Sequence, residues 1–289
     1  MIVDAVEPIR KMRGGAQAWL VRAGDGCYYV LKLLQNAQHS RILINEWLCS
    51  HFLLHLQLCA AQPVLLNCTR EWMESAADLG LHVQRGTEQV PLQPGLHFGS
   101  RVPVDPNRES IYDFLPDAAM DGLENRSHYH GMLAFDQWVS NADTRQSVYF
   151  RGRPREFLRD AVYAPTAVSF LAMMIDHGYA FQGPDWRLDD LPRQGLYPRP
   201  SAYVAIRSWD DLEPWLSRIQ GFSESAIDEA LKQIPSTWYA AGEERELERL
   251  LEQLLRRRQR VPDLLHACRL ARPELFPNWR STVAVWTSA

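Results

Sequence analysis

The run Val3–Ile9 mixes apolar and polar positions and reads as a first strand. Arg13-Gly14-Gly15-Ala16-Gln17 follows as a flexible turn. Two apolar runs, Ala18–Arg22 and Cys27–Leu34, then flank Ala23-Gly24-Asp25-Gly26. Asp-Gly between apolar runs predicts a hairpin, because glycine accepts the positive φ of a tight turn. Ser40 stands where a cap would sit for a helix over Arg41–Leu58, and Gln62–Leu66 reads as another short strand. Prolines and glycines crowd Pro91–Pro106, which marks a junction. Beyond it the pattern turns mainly helical: Gly122–Asn141, then Asp211–Ile219, Glu224–Ile234 and Glu243–Arg260. In the last of these, Leu247, Leu250, Leu251, Leu254 and Leu255 make one apolar stripe at helical spacing. Thr166–Asp176 is apolar and rich enough in β-branched residues to include a buried strand, and Pro184–Pro200 reads as a loop. The expected organisation is α+β: a β-rich N-terminal lobe over residues 1–103 and a mainly helical C-terminal lobe over residues 104–289.

Composition narrows the function classes. The 289 residues are 46% hydrophobic and 23% charged, which predicts a folded globular chain with a substantial core. A net charge of −4 argues against direct nucleic-acid binding, which needs a basic face. Five cysteines with no CxxC pair argue against a disulfide framework or zinc knuckle and predict reduced thiols in a cytoplasmic protein. The N-terminus carries no apolar signal region, and Ile42–Leu58, the longest apolar run, is interrupted by Asn45, Glu46, His51, His55 and Gln57, so no membrane span is expected.

Phosphoryl transfer needs a cover over phosphates, a lysine to neutralise them, a carboxylate to orient that lysine, metal ligands and a base. Each has a candidate, in chain order. Gly14-Gly15 lets backbone N–H groups approach an anion, although such a pair is also an ordinary turn. GxxxxGK[ST] is absent, which disfavours a P-loop. Lys32 lies in a strand-like run, and Glu46 lies among Ile44, Trp47 and Leu48 in the next helix. A carboxylate in an apolar stretch wants a partner, so Lys32 and Glu46 are expected to pair. In Phe135–Gln146 the helical pattern ends near Asn141, and Asp143, Arg145 and Gln146 follow on a polar loop. Asp143 is read as the base and Asp136 as structural, bonding backbone or an arginine. Asp176 ends a buried-looking strand just before His177-Gly178, a position suited to a metal ligand. His51 and His55, one turn apart, lack a third ligand and read as packing, as do His128 and His130. GxSxG is absent. Arg256–Arg260 reads as a solvated helix end that complements the helix dipole.

Asn141-Ala142-Asp143-Thr144-Arg145-Gln146, followed by Ile175-Asp176-His177-Gly178-Tyr179-Ala180-Phe181, resembles the catalytic and metal-binding segments of HipA-like kinases. Leu96–Arg101, Tyr112–Pro116 and Ile234–Tyr239 resemble recurrent segments of a small bacterial branch, so the resemblance extends over most of the chain. It implies a bilobal protein-kinase-like fold, ATP and Mg2+, and transfer of the γ-phosphoryl group to a serine or threonine hydroxyl of a protein substrate. By carry-over, Lys32 contacts the phosphates, Asp143 is the base and Asp176 holds metal. The family usually carries His two residues and Asn five residues after the catalytic Asp, where this chain has Arg145 and Val148. Gln146 is the nearest amide to supply a second metal ligand. That departure keeps a second reading open, a nucleotide-binding sensor or interaction module with little turnover; a third is a structural interaction protein with a vestigial pocket.

Overall fold

The computed structural model describes residues 1–159 and 162–280; the final stretch of the expected 104–289 lobe, residues 281–289, lies outside the described residues. The strands are β1 (Ile2–Lys11), β2 (Trp19–Ala23), β3 (Tyr28–Lys32), β4 (Pro63–Cys68), β5 (Val83–Arg85), β6 (Glu88–Val90), β7 (Gly95–Arg101), β8 (Ile111–Tyr112), β9 (Gln146–Gly152) and β10 (Ser169–Ile175). The helices are α1 (Arg41–His55), α2 (Arg70–Asp78), α3 (Asp117–Met120), α4 (His128–Trp138), α5 (Pro154–Phe157), α6 (Trp215–Gln220), α7 (Glu224–Leu231), α8 (Glu243–Arg257) and α9 (Val261–Ala271). The fold is α+β.

Five strands close a barrel in the order β1-β2-β3-β7-β4, with β4 returning parallel to β1. Val21, Tyr29, Leu31, Val64 and Leu66 fill it, and Trp72, Met73 and Ala76 of α2 pack against the same cluster. The β2–β3 hairpin turns where Asp-Gly predicts it. Gly26 takes φ +80, and Asp25 accepts from the backbone N–H of Cys27 at 2.9 Å and the Tyr29 hydroxyl at 2.6 Å. The Pro91–Pro106 stretch contains β7, which pairs with both β3 and β4 and closes the barrel. Its prolines, Pro91, Pro94, Pro103 and Pro106, flank the strand without interrupting it, so they remove no ladder donor.

The second core is helical. It gathers α4, α6, α7, α8 and α9 around Trp47, Phe52, Trp138 and Trp238, and α1 contributes Leu43, Ile44, Trp47 and Leu48 to it. Helix α1 therefore belongs by chain position to the barrel half and by packing to the helical half. Its start differs from expectation. Ser40 has helical angles (φ −62, ψ −34) and its side chain caps nothing, whereas His39 Nδ1 accepts from the Arg41 N–H at 3.2 Å. Its end comes earlier, at His55, because Gln57 adopts φ +62 and the chain folds back so that the Leu58 N–H meets the Leu53 carbonyl at 2.9 Å. A short sheet, β10-β9-β8, lies beside this core. Among the described residues no helix is long and apolar enough to cross a membrane.

At the basic end of α8, Arg256 and Arg260 are exposed as expected, and Arg257 departs from the solvated face. Arg257 is buried, and its guanidinium donates to the carbonyls of Leu188, Gln137 and Asp189 and pairs with Asp190 at 2.7 Å. It ties the 188–190 loop to α4, a role that helix polarity does not predict.

Candidate active site

Lys32 ends β3 on the strand face opposite the barrel-filling Tyr29 and Leu31, and is buried. Its ammonium donates to Glu46 of α1 and to Asp176 Oδ1 at 3.0 Å, just past the end of β10. Three segments far apart in sequence thus meet at one nitrogen. Burial alone would pull the Lys32 pKa down, but Asp176 and then Glu46 more than offset it and hold the group above the ordinary lysine range. Lys32, through its charge, holds Asp176 down at about 2, so this carboxylate stays ionised. Burial pushes Glu46 up, against the opposing pull of Lys32. Glu46 is enclosed, whereas the Asp176 side chain is 37% exposed and faces out of the same cluster.

The loop that presents Asp176 is held by α1. Asp176 adopts φ +60, an uncommon conformation for a residue with a side chain, and Phe181, Gln182 and Trp186 also have positive φ. The Asn45 amide spans this loop. Its Nδ2 donates to the carbonyls of Gly178, Ala180 and Gly183 at 2.8–3.0 Å, and its Oδ1 accepts from the Trp186 indole at 2.9 Å. Gly178 is required by packing: a Cβ there would lie 2.7 Å from Ile42 Cγ2 and 3.3 Å from Glu46 Oε1. At the start of α1, Arg41 stacks 4.1 Å from the Trp186 ring, donates to the Pro184 carbonyl and pairs with Glu243 and Glu246 of α8.

The other loop follows α4, which ends at Trp138, three residues before the expected boundary, and Ser140 turns the chain at φ +52. Asp136 is fully enclosed and forms a two-pronged pair with Arg145; Asn141 adds a hydrogen bond at 2.9 Å. Arg145 also donates to the Ile175 carbonyl at 2.8 Å and to His177 Nδ1 at 3.0 Å, so it locks the 141–146 loop to the Asp176 loop from behind. Asp143 lies outside the helix, part-exposed, and its Oδ1 accepts from the Thr144 N–H at 2.7 Å. Asp136 and Asp143 therefore do not share a helix face. Gln146 opens β9 opposite Ile175, the residue before Asp176, and its side chain is exposed. Val148 packs beside the Cys59, Phe150 and Met173 cluster.

Gly14 and Gly15 form the β1–β2 connection, with Gly14 at φ +116. Trp19 at the start of β2 pairs with Leu31 at the end of β3, which puts this connection at the same end of the barrel as Lys32. A Cβ on Gly15 would lie 2.9 Å from the Gln38 side-chain nitrogen, so Gly15 faces Gln38. Among the described residues no three His, Cys, Asp or Glu side chains cluster to hold a metal. His51 packs on Trp47 and His55 on Phe222, while His128 and His130 engage the Cys59 N–H and the Asp211 carbonyl. The site still fits a magnesium ion carried with phosphates. One ammonium faces two carboxylates there, and magnesium typically takes one or two protein carboxylates with phosphate oxygens completing its shell.

The HipA-like kinase profile matches residues 5–263, nearly the whole described chain. The chain belongs to the HipA-like kinase family. The matched span takes in Lys32, Glu46, Asp143 and Asp176 together. No curated protein sequence matches the chain. Among solved structures, a Golgi casein kinase with Mn/ADP bound is similar at 14% identity, covering 93% of this chain and 73% of that one, with a TM-score of 0.48. A second Golgi casein kinase structure gives 14% identity, 94% and 76% coverage, and a TM-score of 0.48.

Sequence reasoning missed Asn45, Arg41 and the anchoring role of Arg145. Asn45 carries one signal, a polar residue beside Glu46 inside an apolar helix. The other two carry none, since surface arginines are common.

Proposed function

We propose that this family member is an ATP- and magnesium-dependent kinase that transfers the γ-phosphoryl group to a serine or threonine hydroxyl of a protein substrate. The observation that carries the reading is the double ion pair of Lys32 with Glu46 and Asp176, which unites barrel, α1 and the loop after β10. In this reading residues 1–103 cover the nucleotide and residues 104–289 carry the catalytic loops. Gly14 and Gly15 supply backbone N–H groups over the phosphates, and Lys32, held ionised by Asp176 and Glu46, neutralises them. Asp176 holds the metal, with Gln146 as the amide that serves a second position. Bound magnesium supplies positive charge at the phosphates. Asp143 orients the acceptor hydroxyl and takes its proton. All five cysteines are unpaired and four are buried, which fits a reducing, cytoplasmic setting.

A second reading, nucleotide binding with little turnover, is favoured by one observation. Where the family has His and Asn, this chain has Arg145, locked into Asp136, and Val148, packed beside a core cluster. The test is transfer of labelled phosphate from ATP to protein, with and without magnesium, in wild type and Lys32→Met. Magnesium-dependent labelling lost in the variant supports the kinase; tight ATP binding without labelling supports the second reading.

A further inference from the structure

A cavity of about 160 Å³ lies against Asp143, away from the Lys32 cluster. Asp143, Thr144, Arg193, Gly195, Pro198 and Arg272 line it, and none of Lys32, Glu46 or Asp176 does. Its size excludes a nucleotide, since small-molecule sites are typically about 300–1,000 Å³. It suits one acidic side chain.

The wall carrying Arg193 is fixed to the Asp143 loop. The Gly195 N–H donates to the Asp143 carbonyl at 3.1 Å, the Arg145 N–H donates to the Leu196 carbonyl at 3.1 Å, and Gln137 Nε2 donates to the Gln194 carbonyl at 2.9 Å. Gly195 sits at φ +69, and a Cβ there would come within 3.0 Å of Asp136 and 3.1 Å of the Asn141 carbonyl, so the approach of the two loops depends on glycine. Arg193 is exposed and makes no hydrogen bond or ion pair among the described residues. Across the cavity Arg272, from the turn after α9, pairs with Glu274. Glu274 is more than half exposed, and its carboxyl is held low chiefly by the hydrogen bond from Arg272, with Arg193 contributing. One surface glutamate therefore already occupies one of the two cations that an incoming acid would use.

We infer that Arg193 and Arg272 form an acceptor subsite that selects a carboxylate side chain flanking the phosphorylated hydroxyl, with Glu274 as an internal competitor for the Arg272 guanidinium. The inference rests on the kinase reading for the place of Asp143 at the acceptor hydroxyl. Arginine suits this work because its planar fork engages a carboxylate bidentately. The contact is solvent-accessible, so it weakens with salt.

The test is binding, read independently of transfer. A dye-labelled peptide with a central serine and glutamates on both flanks is titrated by anisotropy at low and high salt, beside its glutamine counterpart. We expect the acidic peptide to bind about tenfold tighter at low salt, a difference of about 1.4 kcal/mol. Arg193→Ala and Arg272→Ala remove the preference, Arg193→Lys keeps part of it, and Glu274→Gln strengthens it. All variants are checked for folding by circular dichroism and for unchanged ATP affinity. Equal binding of the two peptides to wild type, or binding of neither, overturns the subsite. Insensitivity to Glu274→Gln overturns its role as competitor. Charge-selective binding with no phosphate transfer leaves the subsite standing and removes the kinase reading instead.

Discussion

Asp136 and Asp143 are both carboxylates, seven positions apart, and their surroundings give them different work. Asp136 is enclosed and spends both oxygens on Arg145 and Asn141. Asp143 stands on a loop with one oxygen engaged locally. Removing Asp136 leaves the Arg145 charge buried and unpaired, so Asp136→Ala is expected to lose roughly 3–5 kcal/mol in urea unfolding. Asp143→Ala should stay within about 1 kcal/mol of wild type, because it breaks no buried pair. Turnover should be lost in Asp143→Ala while ATP affinity stays within a few-fold. Abolished transfer in a folded Asp136 variant, with Asp143→Ala active, would reverse the roles. Asp176 and Gln146 make a second contrast. Asp176→Asn should sharply weaken magnesium-dependent ATP binding in folded protein. Gln146→Leu changes an exposed strand-end amide and should raise the magnesium requirement without altering stability. A magnesium titration of ATP turnover in both variants checks this, and a silent Gln146→Leu in an active enzyme removes it from the metal site.

Helix α1 shows how one element couples two others. Its buried face packs into the helical core through Trp47 and Leu48, while Asn45 reaches the loop after β10 and Glu46 pairs with Lys32 of the barrel. In an ordinary surface helix the polar face points to water; here that face is also covered, by barrel and loop, and its polar residues find protein partners instead. Asn45→Ala would leave three loop carbonyls and the Trp186 indole without their partner. Buried groups left unsatisfied cost about 1–3 kcal/mol each, so a loss of at least about 2 kcal/mol is expected even after water enters. The sharper readout is local: amide exchange should quicken over residues 176–186 and not in the barrel. Uniform quickening across the chain would mean that Asn45 supports only global stability.

At the scale of the whole molecule, Lys32 is where barrel, helix and loop share charge. Lys32→Met should cost roughly 3–5 kcal/mol at neutral pH, since Glu46 and Asp176 are then left without their cation. The pH dependence should invert as well. In wild type the Asp176 pKa falls to about 2, below an ordinary aspartate near 3.9, so the stability it contributes is present above about pH 4 and lost as pH falls towards 2. Without the ammonium, Asp176 loses the charge that holds it down and burial raises Glu46 further above its unfolded value. Protonation then favours the folded state, and the variant's deficit should be smaller at acid pH than at alkaline pH. Urea midpoints for both proteins from pH 4 to 8 decide it; parallel curves would mean that the three groups are not coupled. ATP turnover must be measured on variant protein shown to be folded.

Local chemistry made much of this protein readable from its sequence. Asp25-Gly26 predicts its turn from backbone sterics, the leucines of α8 predict a buried stripe from helical period, and Asp176 is flagged by the end of an apolar strand before glycine. Lys32 and Glu46 are legible because a carboxylate in an apolar helix demands a partner, and the structure supplies it 14 residues away. What sequence could not decide is which polar groups become buried, and with whom. Arg145 and Arg257 look like surface cations and are locked inside, Asn45 meets carbonyls some 135 residues further along, and Arg193 and Arg272 face one cavity across a long stretch of chain. The value of a charge or an amide depends on the solvent around it and the groups within a few ångströms. Those are set by the closing of the barrel on α1 and of the loops on one another, a property of tertiary contact that periodicity and local propensity do not encode.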